Sequence, residues 1–331
     1  MGGMPPTESP VMARTGSRAA KEDLMTATLK LEEKVERKIT AGAPISLARV
    51  MVATDFSPHA DRALDYAISL ARRFGSRVYL THVLTYEGHA VLEPDLGAPS
   101  VDKFRQVAEQ NAKNIVDSGR LYGVPYEVVI EEGTLWPTLE VLLERYKIDL
   151  LVVGTHGLTG PMKTVFGSAA EQIFRQSPIP VLTVGPSVTQ EPAFEAEFRS
   201  ILFATDFAPA AEREAALAFA IAQEHRAKLV IMHVTPYRTG IAERDAVLER
   251  ELITHQLQEL VPKAAELKCK PEIHVGYGET VEEILRIARE TNADLIVIGA
   301  KKRGSLSGHL PGTKAYGVVR GAQCPVLTIK S

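Results

Sequence analysis

Two tandem α/β domains, each an open, doubly wound sheet of five parallel strands, are the fold class that this 331-residue sequence predicts. Three observations carry that reading. The chain repeats itself at an interval of about 151 residues, short β-branched runs alternate with longer stretches of helical period inside each copy, and the length suits two domains of ordinary size.

The repeat shows in four landmarks that recur in one order. Arg49-Val-Met-Val-Ala-Thr-Asp-Phe-Ser-Pro58 returns as Ser200-Ile-Leu-Phe-Ala-Thr-Asp-Phe-Ala-Pro209, and Arg77-Val-Tyr-Leu-Thr-His-Val83 as Lys228-Leu-Val-Ile-Met-His-Val234. Asp149-Leu-Leu-Val-Val-Gly154 matches Asp294-Leu-Ile-Val-Ile-Gly299, and Ile179-Pro-Val-Leu-Thr-Val184 matches Cys324-Pro-Val-Leu-Thr-Ile329. So long a period, with a full set of elements in each unit, means a duplicated domain rather than a solenoid.

In the first copy the strands fall near 49–53, 77–83, 127–131, 149–153 and 180–184, with helices near 58–74, 102–121, 136–146 and 168–176 between them. Repeated strand, helix, strand gives right-handed crossovers and a parallel sheet covered on both faces. The second copy places its strands near 200–204, 228–234, 271–275, 294–298 and 325–329. Ser57 suits a helix cap with Pro58 in the first turn, and Ser168 with Glu171 spells a capping box that starts a helix at Ser168. Trp136 reads as core packing at the start of the third helix, and Gly276-Tyr277-Gly278 as a turn into a helix from Thr280.

Domain boundaries follow. Residues 1–46 form a leader, disordered to about Ser17 and then one amphipathic helix from Lys21 to Ile39, with Leu24, Leu31 and Val35 at helical spacing. Residues 47–186 are the first domain, 187–197 a linker in a stretch rich in Pro, Ser and Thr (Pro186 to Pro192), and 198–331 the second domain.

Composition narrows the function classes. Hydrophobic residues make up 45% of the chain, enough for two cores, and 38 basic against 41 acidic residues leave a net charge of -3, which argues against avid nucleic-acid binding. No apolar run approaches the roughly 18 residues that cross a bilayer, and the first residues lack a signal peptide's apolar core, so a cytoplasmic protein without a membrane partner is expected. Cys269 and Cys324, far apart and without a CxxC pair, are expected to be reduced core residues.

Ligands of open parallel sheets bind beyond the carboxyl ends of the strands. After the first strand comes Thr54-Asp55-Phe56-Ser57, where Asp55 suits either a ribose diol or a turn that bonds its own backbone. After the fourth comes Gly154-x2-Gly157-x9-Gly167-Ser168, glycines followed by a helix start whose free N–H groups suit phosphates. There is no G-x-x-x-x-G-K-[ST] and no G-x-G-x-x-G after the first strand, which disfavours a P-loop enzyme and a dinucleotide domain. His82, His156 and Ser168 together with Asp55 can be drawn as a triad, but no G-x-S-x-G elbow supports one, and no nucleophile is assigned.

Thr54-Asp55-Phe56-Ser57, His82-Val83 and the Gly154/Gly157/Gly167-Ser168 motif resemble the universal stress protein family in its tandem two-domain form, over roughly residues 47–331. The resemblance implies ATP as ligand, with Mg2+: Asp55 on the ribose, Val83 flanking the adenine, and Gly154, Gly157, Gly167 and Ser168 on the phosphates. It also implies an intramolecular pseudo-dimer of the two domains, for which the last strands, 180–184 and 325–329, are the expected seam. The second copy departs from the motif, reading Gly299-Ala300-Lys301-Lys302 and, nine residues on, Gly312-Thr313, so that Lys302 stands where Gly157 does. A lysine does not take positive φ cheaply, which leaves Asp206, Val234, Gly299, Gly312 and Thr313 as a second, weaker site.

The function this implies is a nucleotide-dependent stress-response sensor or regulator, working with a regulatory protein partner not identified by sequence. A slow ATPase or nucleotidyl-transfer enzyme, and a nucleotide-free interaction scaffold, are the alternatives. Pairing of the pseudo-dimer into a homodimer is left open.

Overall fold

The computed structural model describes residues 47–85, 101–155, 167–188, 198–237, 243–261, 270–300 and 313–330. The leader and its expected helix, Cys269 and most of the linker lie outside the described residues. The first copy runs β1 (Arg49–Ala53), α1 (Pro58–Phe74), β2 (Arg77–Leu84), α2 (Val101–Asp117), β3 (Tyr126–Glu132), α3 (Leu135–Arg145), β4 (Leu150–Gly154), α4 (Ser168–Gln176) and β5 (Val181–Val184). The second runs β6 (Ser200–Ala204), α5 (Ala211–His225), β7 (Lys228–Thr235), α6 (Glu243–Glu259), β8 (Glu272–Tyr277), α7 (Thr280–Glu290), β9 (Leu295–Ala300), α8 (Lys314–Gly321) and β10 (Val326–Lys330).

The two five-stranded sheets join edge to edge into one ten-stranded sheet in the order β3-β2-β1-β4-β5-β10-β9-β6-β7-β8. Pairing is parallel within each copy. At the seam β5 meets β10 antiparallel, with Thr183 opposite Val326, Leu182 opposite Leu327 and Val181 opposite Thr328. The last strands are therefore the seam, and the copies form an intramolecular pseudo-dimer. Antiparallel pairing is what a two-fold relation between two like strands requires.

Alternation along the strands feeds a core on each face of the sheet. Val50 and Val52 of β1 join Ala63 and Leu64 of α1 and Ala112 of α2, whereas Met51 joins Trp136 and Leu139 of α3 and Ile173 of α4. Trp136 is thus a core residue. The core that holds Val50 and Val52 continues into Ala215 and Ala218 of α5, so α1 and α5 pack over the seam together with Leu182 and Leu327. At the outer end of that seam Arg73 donates through Nε to the carbonyl of Glu224, at 3.1 Å, linking residues one repeat apart.

Local chemistry explains the helix ends. Ser57 is the N-cap of α1: it is extended, its Oγ accepts from the Ala60 N–H at 3.2 Å, and Pro58 follows in the first turn. The helix stops at Gly75, in the left-handed region at φ 63°. In the second copy Ala208 stands in place of Ser57 and cannot cap. There the N-cap is Ala210, without a side-chain bond, and α5 begins at Ala211, two residues later than the repeat implies. Ser57→Ala should therefore cost about 1 kcal/mol, read as a lower urea midpoint. An unchanged midpoint would contradict this account of the cap.

Several boundaries differ from the sequence reading. The second helix, expected to reach 121, ends at Asp117, because the chain turns through Gly119 and Gly123 at φ 75° and 77°. Strands β8, β9 and β10 lie one or two residues later than expected. Among the described residues no helix is long and apolar enough to cross a membrane.

Candidate functional site

Strands β1 and β4 are neighbours at the point where the strand order of the first copy reverses, which brings the Asp55 loop and Gly154 to one edge. The Asp55 loop is braced from within. The Phe56 N–H donates to Thr54 Oγ1 at 2.9 Å and the Ser57 N–H to Asp55 Oδ1 at 3.0 Å, while Phe56 sits at φ 61°, unusual for a residue with a side chain. His82, at the end of β2, holds the loop down: its Nδ1 donates to the Thr54 carbonyl at 2.7 Å, and its ring lies 4.9 Å from that of Phe56.

The second copy repeats each of these contacts. Thr205 Oγ1 accepts from Phe207 at 3.1 Å, Asp206 Oδ1 accepts from Ala208 at 3.0 Å, and Phe207 has φ 57°. His233 Nδ1 donates to the Thr205 carbonyl at 2.8 Å, with its ring 4.6 Å from Phe207. His82 and His233 are thus supports of the strand-end loop. The recurrence of Thr-Asp-Phe and His in both copies was the available signal. Asp55 and Asp206 each make the turn bond to their own backbone with one oxygen, which fixes the carboxylate at the strand end.

Gly154 is a glycine because of packing. A Cβ there would lie 2.6 Å from the His59 carbonyl oxygen and 3.0 Å from the Ala60 nitrogen, so β4 runs directly against the first turn of α1. From Gly154 the chain passes to buried Thr155 and re-enters the described residues at Gly167, whose N–H donates back to the Thr155 carbonyl at 2.6 Å. Gly157 and His156 lie outside the described residues, as does Gly312 in the second copy.

The capping box expected at Ser168 is corrected. Helix α4 does start at Ser168, but the N-cap is Gly167, extended at φ -65° and ψ 155°, and no side chain caps it. Ser168 is then the first helical residue, one position too late to cap, and the first-turn N–H groups are left to a ligand or solvent. In the second copy Thr313 is the true cap, its Oγ1 accepting from the Tyr316 N–H at 3.2 Å. Val83 and Val234, the next-to-last residues of β2 and β7, have their side chains buried in the core that contains Trp136.

The second copy differs most beneath Gly299. The place filled by backbone under Gly154 is here taken by the carboxylate of Glu214 from α5, and a Cβ on Gly299 would fall 2.7 Å from its Oε2. Glu214 is 1% exposed, and neither oxygen has a hydrogen-bond partner among the described residues. Burial, then the negative charge of Asp206, push its pKa up to about 7, against the pull of Arg213. Sequence reasoning missed Glu214, since a first-turn glutamate reads as a solvated helix residue.

Comparison with known proteins agrees with this fold. The family model described as "Universal stress protein family" matches residues 47–185 and again 197–330. A universal stress protein of Methanocaldococcus jannaschii is 27% identical over 143 residues, 41% of this chain and 81% of that protein. One from Mycolicibacterium smegmatis is 22% identical over 299 residues, covering 85% of this chain and 96% of its own. Among solved structures, a universal stress protein from Archaeoglobus fulgidus superposes with a TM-score of 0.64 at 18% identity, covering 86% of this chain and 98% of that one.

Proposed function

The chain belongs to the universal stress protein family, with two family units in tandem, and from that premise we propose that its first domain binds ATP and acts as a nucleotide-dependent sensor or regulator in the cytoplasm. The observation that carries the reading is the convergence of Asp55, Gly154 and the uncapped start of α4 at one edge of the sheet, tied together by the Gly167 to Thr155 hydrogen bond. Asp55, held by its turn, presents a carboxylate to a ribose diol. The first-turn N–H groups at Gly167 and Ser168 and the positive end of the α4 dipole receive phosphate oxygens. Mg2+, when bound with the nucleotide, neutralises phosphate charge. The base would lie beside the end of β2, along the backbone at Val83, whose own side chain is in the core.

Bound nucleotide would alter the surface offered to a regulatory partner. The second domain keeps Asp206 and Val234 but carries Lys302 in its glycine segment and a carboxylate beneath Gly299, so it is the weaker site. Asp55→Ala is expected to weaken ATP binding about tenfold, the worth of a hydrogen bond to a charged group, and to leave binding of inorganic tripolyphosphate unchanged. Equal loss for both ligands would remove Asp55 from the ribose; no binding of either by the wild type would favour the scaffold reading.

A further inference from the structure

Glu214 has no counterpart in the first domain, where Ala63 stands one repeat earlier. Its position follows from the missing cap. With Ala208 in place of Ser57, α5 starts two residues late. The space beside the end of β9 that a first helical turn would fill is then taken by a side chain from the first turn that does form. The result is a carboxyl group under Gly299, the residue from which the second glycine segment departs, with both oxygens buried and unpartnered among the described residues.

Charged neighbours do not resolve it. Among the described residues, the loop after β6 contributes Asp206, of the same sign, and β9 places Gly299 against the carboxylate. Among the described residues the opposing charge is Arg213 on the same helix, whose Nη2 donates to the Lys330 carbonyl at the end of β10. An anion placed against such a floor meets an unscreened negative charge in a medium of low dielectric, whereas a neutral carboxyl offers a hydrogen-bond donor.

We propose that Glu214 is the specificity-determining residue of the second domain: ionised, it closes that strand-end site to nucleotide phosphates, and protonated, it admits them. This rests on the reading of the first domain as an ATP site and adds a proton-linked second site to it. With its pKa raised to about 7, the group changes charge near neutrality instead of in the usual carboxylate range. The chain should carry one nucleotide at about pH 8 and two at about pH 6, with affinity at the second site falling about tenfold per pH unit above neutrality.

The test is calorimetric stoichiometry of MgATP on the full chain and on Glu214→Gln, at about pH 6 and pH 8. The wild type should go from two sites to one as the pH rises, and the variant should keep two at both. Glu214→Ala, which restores the first domain's residue, should behave as Glu214→Gln does. If the variants bind only one ATP at the higher pH, or the wild type binds two there, the inference is overturned while the first site stands. If nothing binds at either pH, both fall.

Stability gives a readout independent of ligand. The folded chain keeps a proton that the unfolded chain releases at the ordinary carboxylate pKa. The folding constant of the wild type relative to Glu214→Gln should therefore fall about a hundredfold between pH 5 and pH 8. A ratio that does not change with pH would overturn the inference.

Discussion

Leu182→Asp is expected to abolish folding of the pair of domains, or to cost more than about 5 kcal/mol where the protein still folds. Leu182 is 1% exposed and faces Leu327 across the only antiparallel pairing among the described strands. It belongs to the core that α1 and α5 share. Leu182→Ala removes the packing alone and should cost about 3 kcal/mol. The aspartate adds a carboxylate among apolar side chains such as Leu150, Phe198 and Leu327, against a total stability of about 5–15 kcal/mol. Thr328 Oγ1 donates to the Val181 carbonyl at 3.2 Å beside it, which ties the two strands together at that point. Urea unfolding reads the difference, and a midpoint for Leu182→Asp equal to that of Leu182→Ala would mean that the seam opens in solution.

Gly154→Val should be the second severe change, destabilising the first domain by about 3 kcal/mol and removing ATP binding with it. Every atom that the new side chain meets first, the His59 carbonyl and the Ala60 nitrogen, is backbone of α1, which yields only if the helix moves off β4. That movement would drag Ser57 and the Asp55 turn with it, since Ser57 caps the same turn. The equivalent Gly299→Val meets the end of the Glu214 side chain, which can swing aside, and should cost less than half as much. Thermal or urea unfolding without nucleotide separates this packing role from any contact with ligand; equal costs at the two glycines would contradict it.

Much of this architecture is legible in the sequence because both copies obey simple local rules. Ser57-Pro58 is enough to place the start of α1, and Pro58–Phe74 and Ser168–Gln176 are found where helical period and flanking turns put them. The last strands are nearly all β-branched or leucine and buried except at Lys330, in keeping with strands covered on both faces and central in a larger sheet. What the sequence hides is long-range or depends on one residue of backbone phase. Ser168 reads as a cap because a Ser with Glu three residues on has that spacing, yet Gly167 takes the position. The left-handed Phe56 and Phe207 carry no local signal, since a bulky residue at positive φ is held there by the histidine and threonine that surround it. Glu214 is buried only because a cap six residues earlier is missing.

Titration of the full chain with MgATP at about pH 8, beside Gly157→Lys, tests the central claim most directly, because the substitution gives the first glycine segment the lysine that the second carries as Lys302. The account predicts about one ATP per wild-type chain and none for the variant. Absence of binding by the wild type, with no nucleotide released when the purified protein is denatured, would contradict it and leave a paired α/β scaffold whose glycines serve only to bring β4 against α1.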